Sequence, residues 1–130
     1  MNLPALWYPT DKCFIDGAWV DPIGGETLPI ENPSTGEVIG EIARGGQADI
    51  DAAVRAAENA RSGVWGRMPA FERGRLLSHM GRLVLTHVDA LAQIEAADVG
   101  KPLKQARADA VALARYLEFY GGAADKIHGE

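Results

Sequence analysis

The sequence predicts an α+β segment, with three short N-terminal strands followed by about four helices. Two observations support this order. In the first third of the chain, apolar residues alternate with polar ones, which is the period of a strand. From about residue 49 onward they recur every three or four positions, which is the period of a helix. The length of 130 residues fits one domain, and an apolar content of 47% is enough for a core.

The strands are predicted from alternation and from turn-forming residues. Apolar residues alternate loosely around Asp16-Gly17, a dipeptide typical of hairpin turns. Thr27 to Ile30 is a second extended run, and Glu37 to Ala43 alternates as a third. Between them, Asn32 to Gly36 is dense in turn formers, and its proline disfavours helix at the preceding asparagine. We therefore expect three short strands.

The first two helices are predicted from their ends as well as from their period. Acidic residues at Asp49 and Asp51 complement the helix dipole in a first turn, and Ser62-Gly63 ends that helix. Met68-Pro69 opens the second helix. Asp89 is a candidate cap for a continuation beyond it.

Gly100 is predicted to stop that continuation as a left-handed C-cap, and Pro102 begins the last helix. This helix has the clearest apolar stripe in the sequence, with steps of three and four residues. The stripe consists of Leu103, Ala106, Ala110, Leu113, Leu117 and Tyr120. Gly121-Gly122 is expected to weaken or end the helix.

Charge and composition exclude several classes of protein. The net charge is −5, with 18 acidic against 13 basic residues, so we expect no nucleic-acid partner and no anionic membrane partner. The first residues lack the pattern of a secretory signal, and no run approaches the length of a membrane span. Cys13 is the only cysteine, which excludes an intrachain disulfide and a cysteine-rich metal site. A cytoplasmic location is the expectation.

Few residues suggest chemistry by spacing alone. The three Gly-Gly pairs match neither dinucleotide-binding nor P-loop spacing and are interpreted as turns. His79 and His87 lack the spacing and nearby carboxylate of a helical zinc site, so solvated or capping histidines are the interpretation. Cys13 has no base close in sequence and is interpreted as a structural thiol.

Glu95 and Asp98 lie three residues apart near the predicted end of a helix. Paired carboxylates divide acid and base roles or hold a cation. On spacing alone, two solvated acids are the favoured alternative. Lys101 is interpreted as a cation at a helix end rather than an anion-binding group.

Taken in order, several motifs resemble the N-terminal segment of the NAD(P)-dependent aldehyde dehydrogenase superfamily. Each motif is weak by itself, but their number, order and spacing are specific. They are Phe14 to Val20, Ile30 to Ile39, Asp49 to Val54, Trp65, Glu72 to Leu77, Gly100-Lys101-Pro102, and Tyr120 to Ile127.

The resemblance implies an oligomeric enzyme that oxidises an aldehyde to a carboxylate. In that family a cysteine thiolate attacks the aldehyde, hydride passes to NAD or NADP, and a glutamate activates water. The resemblance places those groups downstream of the matched segment, and Cys13 does not correspond to the nucleophile. We therefore expect no catalytic residue and no cofactor-binding residue in this chain, and the remainder of the aldehyde dehydrogenase fold as its partner.

The resemblance also implies part of a monovalent-cation site for K⁺ or Na⁺. Many family members bind the cation through main-chain oxygens just before the Asn-Pro turn and through the aspartate before Gly-Lys-Pro. These positions are Ile30, Glu31 and Asp98. Glu31 stands where the family usually has a small apolar residue, a change that does not affect a main-chain ligand.

We expect an N-terminal tail over residues 1–13 and an incomplete aldehyde dehydrogenase domain over residues 14–130. One alternative is a stand-alone interaction module, derived from the family, that pairs with a full-length subunit. A second is an unrelated small α+β binding domain. Burial of Leu113 and Leu117 inside the chain would favour that last alternative, and exposure of their stripe would oppose it.

Overall fold

A computed structural model describes residue 6 and residues 8–126. The chain divides into two compact units, which correspond to residues 1–67 and 68–130. Most of the tail predicted over residues 1–13 lies outside the described residues or has no regular structure, and Cys13 already belongs to the first strand. The predicted domain boundaries stay a prediction. No helix among the described residues has the length and apolar character needed to cross a membrane.

The first unit begins with an antiparallel hairpin of β1 (Cys13–Ile15) and β2 (Ala18–Val20). Asp16 and Gly17, the two residues between the strands, both have positive φ, 53° and 77°. This is the two-residue turn whose twist matches that of the flanking strands. The predicted hairpin is therefore confirmed.

The expected number of strands was too low by one. The hairpin around Asp16-Gly17 contributes two strands, β1 and β2, which the predicted total of three did not separate. The other two predicted strands are present as β3 (Thr27–Glu31) and β4 (Val38–Ala43), so the described part of the chain has four strands. They form two separate two-stranded sheets, β1-β2 and β3-β4.

The β3-β4 hairpin has an irregular register. Ile30 is opposite Gly40 while Glu31 is opposite Val38, so Ile39 is an extra residue on β4. The turn between the strands follows the predicted chemistry, because the Asn32 side chain accepts a hydrogen bond from the Ser34 backbone N–H at 2.9 Å.

Helix α1 (Gln47–Ser62) follows the strands, and Gly63 ends it as predicted. A further short helix, α2 (Val64–Arg67), was not expected and completes the first unit. The second unit consists of α3 (Ala70–Thr86), α4 (Val88–Val99) and α5 (Leu103–Ala123).

The helix ends in the second unit match most of the predictions. Gly100 caps α4 in the left-handed conformation at φ 69°, and Pro102 directly precedes α5, as expected. The cap predicted at Asp89 was wrong. His87 stands between α3 and α4 at the N-cap position, and Asp89 lies in the first turn of α4.

Small residues form the core of the second unit. Its buried residues are Gly74, Gly81, Val88, Ala92, Ala97, Ala106, Ala110, Ala114 and Gly121. The stripe predicted for the last helix is therefore only partly correct. Ala106 and Ala110 are buried, whereas Leu103, Leu113 and Tyr120 are exposed. Leu113 is exposed and Leu117 is only half-buried, so the burial expected of an unrelated self-contained domain is not found at either position.

Close helix packing explains why Gly121-Gly122 does not end α5. A Cβ on Gly74 would lie 2.2 Å from the carbonyl oxygen of Gly121, and one on Gly81 would lie 2.9 Å from that of Ala114. These two contacts show that α3 and α5 run antiparallel with their backbones touching. The tertiary contact outweighs the low helix propensity of glycine, and α5 continues to Ala123.

Candidate functional site

The three residues predicted to contribute to a cation site belong to different compact units. Ile30 is half-buried and Glu31 is exposed, and both lie in β3, where the register of the hairpin shifts. Asp98 is exposed in the last turn of α4. Each can be described only within its own unit, so the site they would form together stays a prediction.

Asp98 lines a cleft between α4 and α5 inside the second unit. The cleft has a volume of about 440 Å³. Each helix contributes both acidic and apolar side chains to it. Its lining residues are Leu91, Ile94, Glu95, Asp98, Asp109, Ala110 and Leu113.

Lys101 forms ion pairs with two of the three carboxylates in this cleft. Its Nζ lies 2.5 Å from Glu95 Oε1 and 2.6 Å from Asp109 Oδ2, and Gln105 Nε2 donates to the other oxygen of Asp109 at 2.9 Å. The hydrogen bond to Asp109, followed by that to Glu95, raises the pKa of Lys101. The same ammonium, followed by Gln105, lowers the pKa of Asp109. Lys101 therefore links the end of α4 to α5.

The ion pairs of Lys101 show that Glu95 and Asp98 have different surroundings. Glu95 is neither a solvated acid nor half of a carboxylate pair, because it is ion-paired with Lys101. Within the described part of the chain, Asp98 is left as the carboxylate of the cleft with no ion pair. Lys101 is a cation at the start of the α4–α5 connection, as expected, but its partners are side chains rather than helix carbonyls.

Asp49 has a structural role that sequence reasoning missed. It is buried at the start of α1, and its two carboxylate oxygens accept backbone N–H groups from Ile23 at 3.0 Å and Gly46 at 2.9 Å. The available signal was its position three residues after Gly46, the spacing of a carboxylate that reaches back to the N-cap. This carboxylate ties the loop after β2 to the helix.

The three Gly-Gly pairs, interpreted as turns, have three different backbone settings. Gly24-Gly25 forms a turn in which the Gly25 N–H donates to the Pro22 carbonyl at 2.8 Å. Gly45-Gly46 does precede a helix, but the Gly46 N–H is occupied by Asp49, whose negative charge would repel a phosphate. Gly121-Gly122 lies inside α5.

The remaining candidates do not come together as a metal site or a nucleophilic site. Among residue 6 and residues 8–126, no group of three or more His, Cys, Asp and Glu side chains is arranged to hold a metal ion. His79 lies on α3 and His87 directly follows that helix. Cys13 is half-buried in β1 and lines a cleft of about 380 Å³ that also contains Asp49.

Comparison with known proteins identifies the family. The sequence profile of the aldehyde dehydrogenase family matches residues 19–130. The chain belongs to the aldehyde dehydrogenase family. This confirms the resemblance inferred from the ordered motifs, including the placement of the matched region at the N-terminal end of the family fold.

Individual relatives are similar over nearly the whole chain. It is 43% identical over 128 residues to the mitochondrial benzaldehyde dehydrogenase of Antirrhinum majus, covering 97% of the chain and 24% of that protein. It is 42% identical over 129 residues to human retinal dehydrogenase 2, covering 97% and 25%. The chain thus spans about a quarter of the length of the relatives it matches.

Solved structures give the same result. A crystal structure of a Burkholderia cenocepacia protein assigned to the aldehyde dehydrogenases matches with a TM-score of 0.90 and 55% identity, over 92% of the chain and 25% of that protein. The NAD⁺ complex of an aldehyde dehydrogenase from Bacillus cereus matches with a TM-score of 0.89 and 39% identity, over 94% and 25%. The strands and helices described above are therefore part of a larger fold in these proteins.

Proposed function

We propose that this chain is the N-terminal portion of an NAD(P)-dependent aldehyde dehydrogenase that oxidises an aldehyde to a carboxylate. The observation that carries the proposal is the match of residues 19–130 to the family, with 55% identity to the Burkholderia cenocepacia protein. The NAD⁺ complex of the Bacillus cereus enzyme supports NAD or NADP as the cofactor of the complete protein. When bound, the nicotinamide would accept the hydride.

The role proposed for this segment is structural rather than catalytic. The thiol of Cys13 is half-buried in β1, and it lines the same cleft as the buried carboxylate of Asp49. No histidine lines that cleft. The cation that lines this cleft, Lys12, is ion-paired with Asp21, so it is engaged elsewhere rather than available to activate the thiol as a nucleophile. The described glycine pairs offer no free phosphate cradle, which supports cofactor binding by other parts of the complete enzyme.

The segment also contributes to a monovalent-cation site in this proposal. Asp98 supplies a carboxylate that Lys101 does not neutralise, and the main-chain oxygens of Ile30 and Glu31 supply neutral ligands at the irregular point of the β3-β4 hairpin. Hard oxygen ligands suit K⁺ or Na⁺. The cation would hold segments of the complete fold together without taking part in the reaction.

We further propose that the complete protein is a cytoplasmic homo-oligomer. Cell fractionation and the mass of the purified complete protein test the two parts of this statement. Since two similar plant relatives are named as mitochondrial, recovery of the complete protein in an organelle fraction would contradict a cytoplasmic location.

A chimera tests the activity. The chain replaces the matching first quarter of the Burkholderia cenocepacia protein, and reduction of NAD⁺ and NADP⁺ is followed spectroscopically with a panel of aldehydes. We expect aldehyde-dependent reduction by the chimera and none by the purified chain alone. A folded chimera that reduces neither cofactor with any aldehyde contradicts the proposed function, and turnover by the chain alone contradicts the structural role proposed for it.

A further inference from the structure

A groove inside the second unit contains two arginines that have no acidic partner. It lies between α3 and the end of α5 and has a volume of about 500 Å³. Arg75 and Arg82 line it from α3, and neither is ion-paired among the residues that the structure describes. We call it the arginine groove. Its other lining residues are Phe71, Gly74, Ser78, Gly121, Gly122, Asp125 and Lys126.

The remaining polar side chains of the arginine groove already have partners. Lys126 Nζ lies 2.8 Å from Asp125 Oδ1 and donates to the Gly122 carbonyl at 2.7 Å. The hydroxyl of Ser78 donates to the Gly74 carbonyl at 3.1 Å, which uses its single proton. The groove therefore combines three cationic side chains with one carboxylate, in a chain whose net charge is −5. Its unpaired charge is that of the two arginines.

The helix places the two arginines on one line. Arg75 and Arg82 are seven residues apart, which puts them within about 20° of each other around α3 and about 10.5 Å apart along its axis. The guanidinium of Arg75 lies over the ring of Phe71, 5.1 Å from its centroid, and this contact restricts its orientation. The neighbouring Arg73 is engaged elsewhere, because it donates to the Met68 carbonyl.

Glycine keeps the groove open between the two helices. The backbones of Gly74 and Gly121 touch there, since a Cβ on Gly74 would lie 2.2 Å from the Gly121 carbonyl oxygen. A Cβ on Gly122, in contrast, would meet no atom within 4 Å. The space next to Gly122 is therefore free for a ligand that the arginines hold.

We propose that the arginine groove binds a small anion that carries two phosphate groups. Each guanidinium presents a planar fork of N–H donors that matches two oxygens of one phosphate. Two arginines set two helical turns apart suit a ligand with two such groups better than a single ion. A phosphate group also carries up to about two negative charges at neutral pH, against one for a carboxylate. This site is independent of the function proposed above.

Pyrophosphate is the probe, and calorimetric titration of the purified chain at low ionic strength without divalent cations measures its affinity. Arg75→Gln combined with Arg82→Gln is expected to weaken binding at least about tenfold, because both charge-assisted contacts are lost. The matched control combines Arg55→Gln with Arg115→Gln, which changes the net charge equally at two exposed positions outside the groove. It should alter the affinity by less than about twofold.

Three results of this titration would overturn the proposal. The first is the absence of measurable binding to the unsubstituted chain. The second is equal weakening by the two double variants, which would mean diffuse attraction to positive charge. The third is full binding by Arg82→Gln alone, a variant that keeps the contact of Arg75 with Phe71 and so leaves that part of the fold unchanged.

The carboxylate of the groove gives a test with the opposite sign. Asp125→Asn removes a negative charge and releases Lys126, so pyrophosphate should bind at least about twofold more tightly. Asp51→Asn is the matched control, because Asp51 is exposed and lies outside the groove. Weaker binding by Asp125→Asn, or equal strengthening by both variants, would contradict a ligand in this groove.

The folded chimera with the Burkholderia cenocepacia protein distinguishes a free phosphate ligand from carboxylates of the polypeptide. Pyrophosphate should bind to the chimera with an affinity within about threefold of that for the chain, and the Arg75 and Arg82 double variant should again lose it. If the chain binds pyrophosphate and the folded chimera does not, acidic side chains of the longer polypeptide occupy the groove, and the proposal is wrong.

Discussion

The two units of this chain are held together in different ways. In the first unit, strand ladders and one buried carboxylate organise the chain, and Pro22 and Asp49 are its buried residues among those described. In the second unit, three helices meet through glycine and alanine. The contacts in the first unit are mainly hydrogen bonds of main-chain groups. Those in the second unit depend on small side chains, which let the helices approach closely.

This difference shows why large apolar residues are a poor guide to the core of a segment from a larger fold. In the second unit, the buried positions of α3 and α5 carry glycine and alanine, and Leu77 and Leu117 lie half-buried beside them. Other large apolar residues of these helices are exposed, among them Leu76, Leu83, Leu113, Tyr116 and Phe119. Such a helix is apolar on more than one side. The spacing of its apolar residues predicts a helix, but it does not show which apolar face packs against which neighbouring element.

The largest expected effect comes from adding one methyl group to the contact between α3 and α5. Gly74→Ala places a Cβ 2.2 Å from the carbonyl oxygen of Gly121. Because a backbone atom is the neighbour, the helices must separate, and we expect a loss of about 3 kcal/mol in the free energy of unfolding. Urea unfolding of the chain, followed by circular dichroism, measures it.

Gly122→Ala is the matched control for that substitution. It is also a glycine within α5, but a Cβ there meets no atom within 4 Å. Its helix propensity alone predicts a gain of up to about 1 kcal/mol. If both substitutions were stabilising, α3 and α5 would not be in backbone contact, and the contrast between the two units would fail.

The next largest effect is expected in the first unit, at Asp49. Asp49→Ala leaves the backbone N–H groups of Ile23 and Gly46 without their acceptor, with an expected cost of about 2 kcal/mol. Asp51→Ala is the control, because Asp51 is exposed and bonds only the Gln47 side chain. Hydrogen exchange at the Ile23 amide should increase in Asp49→Ala but not in Asp51→Ala. An unchanged exchange rate in Asp49→Ala would contradict the hydrogen bond between Ile23 and Asp49.

A smaller effect is expected at the first hairpin. Gly17 has φ of 77°, a conformation that a Cβ disfavours, so Gly17→Ala should cost about 1 kcal/mol. Gly24→Ala serves as the comparison, since Gly24 does not have positive φ. Equal losses for the two variants, measured by urea unfolding, would mean that the turn geometry does not limit stability.

The smallest effect is expected for the Lys101 cluster, whose side chains are partly exposed to solvent. The depressed pKa of Asp109 means that its contribution to stability is present above pH 3.8, its ordinary value, and is lost as pH falls through the folded value. The raised pKa of Lys101 means that its contribution is present below pH 10.5 and is lost as pH rises through the folded value. Both contributions are present between these limits.

Lys101→Met should therefore lower the Tm modestly at neutral pH, and the effect should become smaller as the pH falls below 3.8. Lys101→Arg keeps the charge and is the control. A double-mutant cycle with Asp109→Asn separates the ion pair from other changes, and a coupling energy that does not weaken as the pH falls below 3.8 would contradict this electrostatic origin.

Local chemistry explains which features were predictable. The Asp16-Gly17 turn and the Gly100 cap depend on residues that adopt positive φ, and both were recognised in the sequence. The family was recognisable because its motifs occur in order over most of the chain. The hydrogen bond from Ile23 to Asp49 joins residues 26 positions apart, and no local pattern reports such a contact.

Tertiary contacts explain the errors. Gly121-Gly122 was expected to weaken or end α5 on propensity, but contact with α3 selects glycine at position 121 for its lack of a side chain. The partner of Lys101 at Asp109 lies two helical turns along α5, and sequence alone did not distinguish it from other exposed acids. The cation site at Ile30, Glu31 and Asp98 stays a prediction, because it rests on resemblance.

The two hydrogen bonds that Asp49 accepts have a consequence for which substitutions are tolerated at positions 23, 46 and 49. Both donors are main-chain groups, which every amino acid except proline provides, so the identity of the side chains at positions 23 and 46 contributes little to them. The acceptor, in contrast, depends on one particular side chain. Saturation mutagenesis of this region should therefore find broad freedom at the two donor positions, apart from proline, and a narrow choice at position 49.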